Sequence, residues 1–181
     1  MVGKGSIMSK KKKSVVDKLL YYFVIFLLGA FTGYIYEVIF YYMTLGIFNN
    51  WGVLYGPWLP IYGIGAVLLS FLKVFKKRPI LLFVFSILIT GLLEYVIGYI
   101  SINFFNQRLW DYSGLFLNID GLVCFRSVIT FAIGSLILNY LLLPVIDKYF
   151  NKKYYKYTYM VMIIFIVDII VSNIYRNPYI F

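Results

Sequence analysis

Histidine is absent from this 181-residue chain, and cysteine occurs once, at Cys124. Without histidine there is no Ser-His or Cys-His nucleophile, no imidazole proton relay and no ordinary zinc site. A single cysteine excludes an intrachain disulfide and a multi-cysteine metal site. Neither a metal nor a cofactor is expected. Charge is scarce as well: Asp, Glu, Lys and Arg make up 13% of the residues, about half the usual share of a soluble domain. Acids are the scarcer sign, at 7 against 17 lysines and arginines. No GxxxxGK[ST] phosphate loop occurs, so nucleotide hydrolysis would require a separate polypeptide.

What fills the chain is apolar surface, with 62% hydrophobic and 22% aromatic residues. A soluble protein of this length cannot enclose that much, whereas a bilayer can solvate it. Five apolar runs stand out, over Leu19–Met43, Val53–Leu72, Ile80–Phe105, Leu122–Ile146 and Tyr157–Tyr175. Each holds about 19 to 26 residues, enough to cross a hydrocarbon core of ~30 Å as a helix. The first is too long for a signal-peptide core and no small-x-small site follows it, so it is expected to be retained. The fold class expected is all-α: a polytopic transmembrane bundle of about five helices.

The net charge of +10 could mark a nucleic-acid surface. The cations instead gather at Lys10–Lys13, Lys73–Arg78 and Lys148–Lys156, each beside an apolar run, and read as topology signals and anionic-lipid anchors. The alternate loops, Thr44–Gly52 and Asn106–Gly121, contain only Arg108, and the C-terminal tail only Arg176. The positive-inside rule then gives N-in, C-out in a cell membrane, read as the bacterial cytoplasmic membrane. The layout expected is a basic arm over 1–18, a four-helix core over 19–147, and a basic loop with a fifth helix over 148–181. A shift of 57 residues superposes Glu37 on Glu94, Tyr42 on Tyr99, Phe48 on Phe105, Asn49 on Asn106 and Tyr55 on Tyr112. This suggests a parallel two-helix repeat over 25–79 and 80–147.

Four charges fall within or near the ends of the spans: Glu37, Glu94, Arg126 and Asp168. On insertion scales a central aspartate costs about 2.5–3.5 kcal/mol, so each needs a partner, water or a role. At 1.5 Å per residue, Glu37 lies about 9 Å, Asp168 about 10 Å, Glu94 about 17 Å and Arg126 about 6 Å from the outer ends of their spans. Gly29 and Gly33 share a face with Glu37, Gly91 and Gly98 with Glu94, and Thr130 and Gly134 with Arg126. Such small residues would turn the charges inward. Two readings follow: buried ion pairs that fix helix register, or one hydrated site open to the outside. Pro57 and Pro60 break the helical pattern in GVLYGPWLPIYGIG, and irregular backbone at membrane depth belongs beside a cavity. Tyr55, Pro57, Pro60 and Tyr62 there, with Trp110, Asp111, Asn118 and Asp120 of the outer loop, are candidate gating or cavity-lining residues. Asp120 is also read as the cap of the fourth helix, and Cys124 as a small packing residue.

The blocks GYIYEV at Gly33, WGVLYGPWLPIYGIGAVLL at Trp51, GLLEYVIGY at Gly91 and LWDYSGLFLNIDGLVCFRS at Leu109 resemble the CmpB-like family of ABC-transporter permeases, also called type IV. The resemblance covers roughly 25–147. It implies a transport subunit served by a separate ATPase. In the family pattern an arginine follows the N-I-x-G glycine; this chain has Leu122 there and Arg126 one turn later. The leading expectation is therefore a permease-like subunit with an outward-facing acidic and arginine site, not itself an enzyme, surrounded by lipid and assembled as a homo-oligomer. Two alternatives stand: an intramembrane enzyme for a lipid or lipid-linked substrate, using the carboxylates as acid and base, and a non-catalytic assembly or regulatory partner.

Overall fold

The structure, a computed structural model, describes residues 14–48 and 52–175. The cluster at Lys10–Lys13, Asn49 of the suggested repeat, and Arg176 lie outside the described residues. Among those described, regular structure is helical, with one isolated bridge between Ile119 and Val123. Helix α1 spans Val15–Leu45 and α2 spans Pro60–Ser70, the latter tightening into a 3-10 turn over Phe71–Phe75. Helix α3 spans Pro79–Phe105. Helix α4 runs over Phe125–Tyr149 through a π turn at Leu138–Leu142, and α5 spans Tyr155–Tyr175.

Among the described residues, four helices are long and apolar enough to cross a membrane: α1, α3, α4 and α5 with its preceding turn. The chain is a helical membrane bundle. The second apolar run departs from the expectation of a full span over Val53–Leu72. Its helix starts only at Pro60, because a proline ring suits the first helical position but not a helix interior. The residues before it enter without regular structure, and the Leu59 amide donates to the Ala30 carbonyl at 3.1 Å. Ala30 is the central residue of α1, so α2 is a half-length helix that begins at mid-depth.

Helices α1 and α2 meet through glycine. A Cβ on Gly29 would overlap the Ala66 methyl, and one on Gly33 would overlap the Tyr62 ring. The glycine stripe of α1 therefore admits α2 to backbone contact. On α3 the inward face reads Leu82, Ser86, Thr90, Glu94 and Gly98 at four-residue spacing, all buried. Ser86 and Thr90 satisfy themselves by donating to the carbonyls of Leu82 and Ser86. This face packs on α4 and the loop before it, where Cβ atoms on Gly91 and Gly98 would meet Val128 and Leu122.

The two ends of the bundle differ. At one end Tyr21 donates to Asp147 at 2.7 Å and Tyr155 donates to Asp17 at 2.8 Å. Tyr140 donates there to the Lys76 carbonyl. These bonds gather the start of α1 and both lysine-rich loops at one basic end. Helix α1 begins at Val15, four residues before the apolar run, because Ser14 and Asp17 form a reciprocal capping box. The main apolar core lies in this half, around Ile25, Leu69, Leu82 and Phe131; a smaller cluster at Leu122, Val123 and Val128 lies toward the opposite, aromatic end.

Between α2 and α4, Asn139 is 1% exposed and donates to the carbonyls of Leu69 and Ser135. It stands where α4 widens into the π turn and α2 tightens into its 3-10 turn. One side chain thus ties two irregular backbones together.

Candidate functional site

A cavity of about 230 Å³ opens between α1, the start of α2, α3, α4 and the loop before α4. Glu37, Glu94 and Arg126 all line it. Glu94 is 2% exposed and accepts from the Ser127 hydroxyl at 2.7 Å and the Tyr112 hydroxyl at 3.2 Å. Glu37, half-buried across the cavity, accepts from the Tyr62 hydroxyl at 2.6 Å. Both carboxyls are thus held by hydroxyl donors from a neighbouring element. Burial foremost, then the two glutamates, hold the Tyr112 hydroxyl well above its ordinary pKa, so it remains a donor at neutral pH.

Arg126 is arranged differently. Its guanidinium lies over the Phe40 ring at 4.5 Å and the Tyr112 ring at 5.9 Å. Among the described residues it has no carboxylate within ion-pair distance and no hydrogen-bond acceptor; the ion pair found there is Arg108–Asp111, in the loop. Direct ion pairs therefore do not join these charges, while Arg126 acts on Glu37 and Glu94 through space across the cavity. Tyr62 completes the wall by stacking on Phe131, with ring centroids 4.8 Å apart.

Asp168 stands apart. Its carboxylate accepts from the backbone amides of Tyr55 and Gly56, the Trp58 indole N–H and the Ser172 hydroxyl, at 2.5–3.1 Å. This carboxylate is a clasp that fastens the irregular segment before α2 to α5. Four intramembrane charges therefore give one three-residue cluster and one latch.

The other sequence candidates divide in the same way. Pro60, Tyr62 and Trp110 line the cavity, and the Trp110 indole also donates to the Leu122 carbonyl at 2.8 Å. The Tyr55 amide engages the clasp, and Pro57 lies exposed in the same segment. Asp111 pairs with Arg108 and accepts from the Ser113 amide at 2.8 Å, while Asn118 bonds within its own loop to Leu115 and Gly121. Asp120 does not cap α4. It accepts from the Tyr95 hydroxyl at 3.0 Å, and Cys124 takes the cap position, its sulfur accepting from the Ser127 amide. Cys124 is buried, as a packing residue should be, but it also supplies the cap. Ser127, Phe40 and Phe131 were not marked by the sequence. Ser127 lies one position beyond Arg126, and no local pattern separates it from the other serines.

A second hollow of about 460 Å³ runs along α1, α2 and α4 and shares Tyr36, Tyr62, Thr130 and Phe131 with the polar cavity. Its wall includes Gly134, where an added Cβ would meet nothing within 4 Å. The stripe of Arg126, Thr130 and Gly134 therefore does not seat another helix, unlike the glycine stripe of α1.

The family model described as "Putative ABC-transporter type IV" (ABC_trans_CmpB) matches residues 24–174. The chain belongs to this family. The match runs through α5, beyond the 25–147 that the motif blocks cover. No curated protein and no solved structure matches the chain.

Proposed function

We propose that this chain is the permease-like membrane subunit of a transport system and that the Glu37–Glu94–Arg126 cavity is its substrate- or ion-binding site. The observation carrying this reading is the cavity itself: three costly intramembrane charges meet where a half-helix begins at mid-depth. Transporters of several folds place their sites beside such broken helices. The charge bias of the loops makes the aromatic end the outer face, so the site opens outward. Family membership supports a transport system, and the missing phosphate loop assigns ATP hydrolysis to a partner. A bundle of five small helices encloses little volume, which favours assembly with further copies. The helix–loop–helix units 25–79 and 80–147 are read as repeats, each contributing one glutamate.

Extraction in mild detergent should recover the chain with an ATP-hydrolysing subunit. The uptake or efflux phenotype of cells lacking the chain should be restored by the wild type and not by the Glu37→Gln/Glu94→Gln pair. Full restoration by that pair, or recovery with no ATPase, would sink the transport reading. Chemical turnover of a lipid by the purified chain, lost in Glu94→Gln, would replace it with catalysis.

A further inference from the structure

We propose that the cavity and the adjoining apolar hollow together seat one membrane phospholipid, its phosphate at Arg126 and one acyl chain along α4. This deepens the transport reading and rests on it for the role of the cavity. Continuity is the first argument. Tyr36, Tyr62, Thr130 and Phe131 line both spaces, so an elongated molecule can occupy the two at once.

The second argument is the character of each space. The hollow is bounded by Gly29, Gly33, Ala66, Ile133, Gly134 and Leu142, which offer no charge and little hydrogen bonding. Along α4 it extends from Thr130 to Leu142, about 18 Å at 1.5 Å per residue. That is close to the ~15 Å of one leaflet's hydrocarbon. Gly134 faces open space on its wall. Helical glycine costs about 1 kcal/mol relative to alanine, and no packing contact explains this one, since a Cβ there would project into empty space.

Charge complementarity decides the head group. Glu37 and Glu94 already accept from Tyr62, Tyr112 and Ser127. Arg126 has aromatic faces but no acceptor among the described residues. Arg126 is the exposed second residue of α4 and shares the cavity with Glu37 and Glu94, on which its charge acts through space. Its fork of donors is unbonded, and phosphate oxygens match it. The carboxyls stand beside it for the amine or hydroxyl donors of the rest of the head group. Under the orientation read from the loops, the phosphate lies in the outer half and the chain points inward, as in an outer-leaflet lipid.

The test uses the full chain in phosphatidylethanolamine–phosphatidylglycerol vesicles containing phosphatidylglycerol with a photoreactive group on its acyl chain. After illumination, mass spectrometry should place the adducts on α4 near Ile133 and Ile137. Labelling should fall about tenfold in Gly134→Phe, which fills the hollow, and in Arg126→Gln, with partial recovery in Arg126→Lys. In the wild type, unlabelled phosphatidylglycerol should compete and a phosphate-free alkanol of equal length should not. That competition needs no variant to fold. Labelling spread evenly around the bundle, or unaffected by Arg126→Gln, would show only annular lipid and overturn the proposal. Cross-linking between copies through Gly134→Cys would give the hollow to a second chain and overturn it equally. Evenly spread labelling together with solute transport that still requires Glu37 and Glu94 would remove the lipid seat and leave the transport reading standing. Site-specific labelling without any ATP-dependent movement would do the reverse.

Discussion

Tyr62 holds three relationships with one side chain: it fills the notch at Gly33, stacks on Phe131 and donates to Glu37. Replacing it by phenylalanine keeps the first two and removes the third. Hydrogen bonds between helices in membranes average about 0.6 kcal/mol, with a maximum near 1.7. Tyr62→Phe should therefore lower the melting temperature in detergent only slightly while impairing the transport phenotype markedly. A large loss of stability with unchanged transport would make Glu37 a packing residue. Gly33→Leu is the contrasting case, because its side chain must occupy the space of the Tyr62 ring. Overpacking of this kind costs about 1–3 kcal/mol, and disulfide cross-linking between a pair of cysteines introduced into α1 and α2 should weaken in proportion.

At the level of elements, the segment over 52–59 is fastened by Asp168, which accepts from the amides of Tyr55 and Gly56 and from the Trp58 indole. Asparagine offers a single acceptor oxygen for a site that now takes four donors. Asp168→Asn should loosen the segment, at roughly 1.5–3 kcal/mol for each lost bond to the charged group, seen as faster protease cleavage between Gly52 and Leu59. The loop before α4 has its own anchor. Bonds from the Ser113 hydroxyl and amide, and then the nearby Arg108, hold the Asp111 carboxyl below its ordinary range. A depressed pKa means the anchor is fully present above about pH 3.9, the unfolded value, and is lost as pH falls through the lower folded one. Acid should change the fluorescence of neighbouring Trp110, and Asp111→Asn should abolish that change. How far these elements could be read beforehand follows from their physics. The four long spans were legible because burial in lipid leaves an unbroken apolar run. The inward face of α3 was half legible: Glu94 and Gly98 stood out, but Ser86 and Thr90 carry the same four-residue spacing. The start of α2 was blurred because Val53–Leu59 is as apolar as a helix would be, and only Pro57 and Pro60 signalled the break. Asp168 was misplaced for a different reason. Depth along a helix can be counted from sequence, but direction around the bundle cannot, and three of its four donors lie more than a hundred residues away.

The whole molecule is polarised end to end. Tyrosines at the basic end tie the start of α1 and the two lysine-rich loops together, while aromatic loops close the other end. If that polarity sets orientation, an impermeant thiol reagent outside intact cells should label Ser113→Cys and spare Lys76→Cys, both in a Cys124→Ser background. The opposite pattern would invert the topology and turn the cavity toward the cytoplasm.

The Asp168 clasp also constrains the order in which the protein can be assembled. The amides of Tyr55 and Gly56 leave the ribosome 113 and 112 residues ahead of their acceptor. At about 5–20 residues per second, synthesis leaves those donors waiting on the order of ten seconds. During that interval the lead-in to α2 is held to α1 at Leu59 but lacks the bonds to Asp168. Helix α5 therefore completes an irregular segment made long before it, and an interruption of synthesis before α5 would leave the half-helix inserted without its clasp.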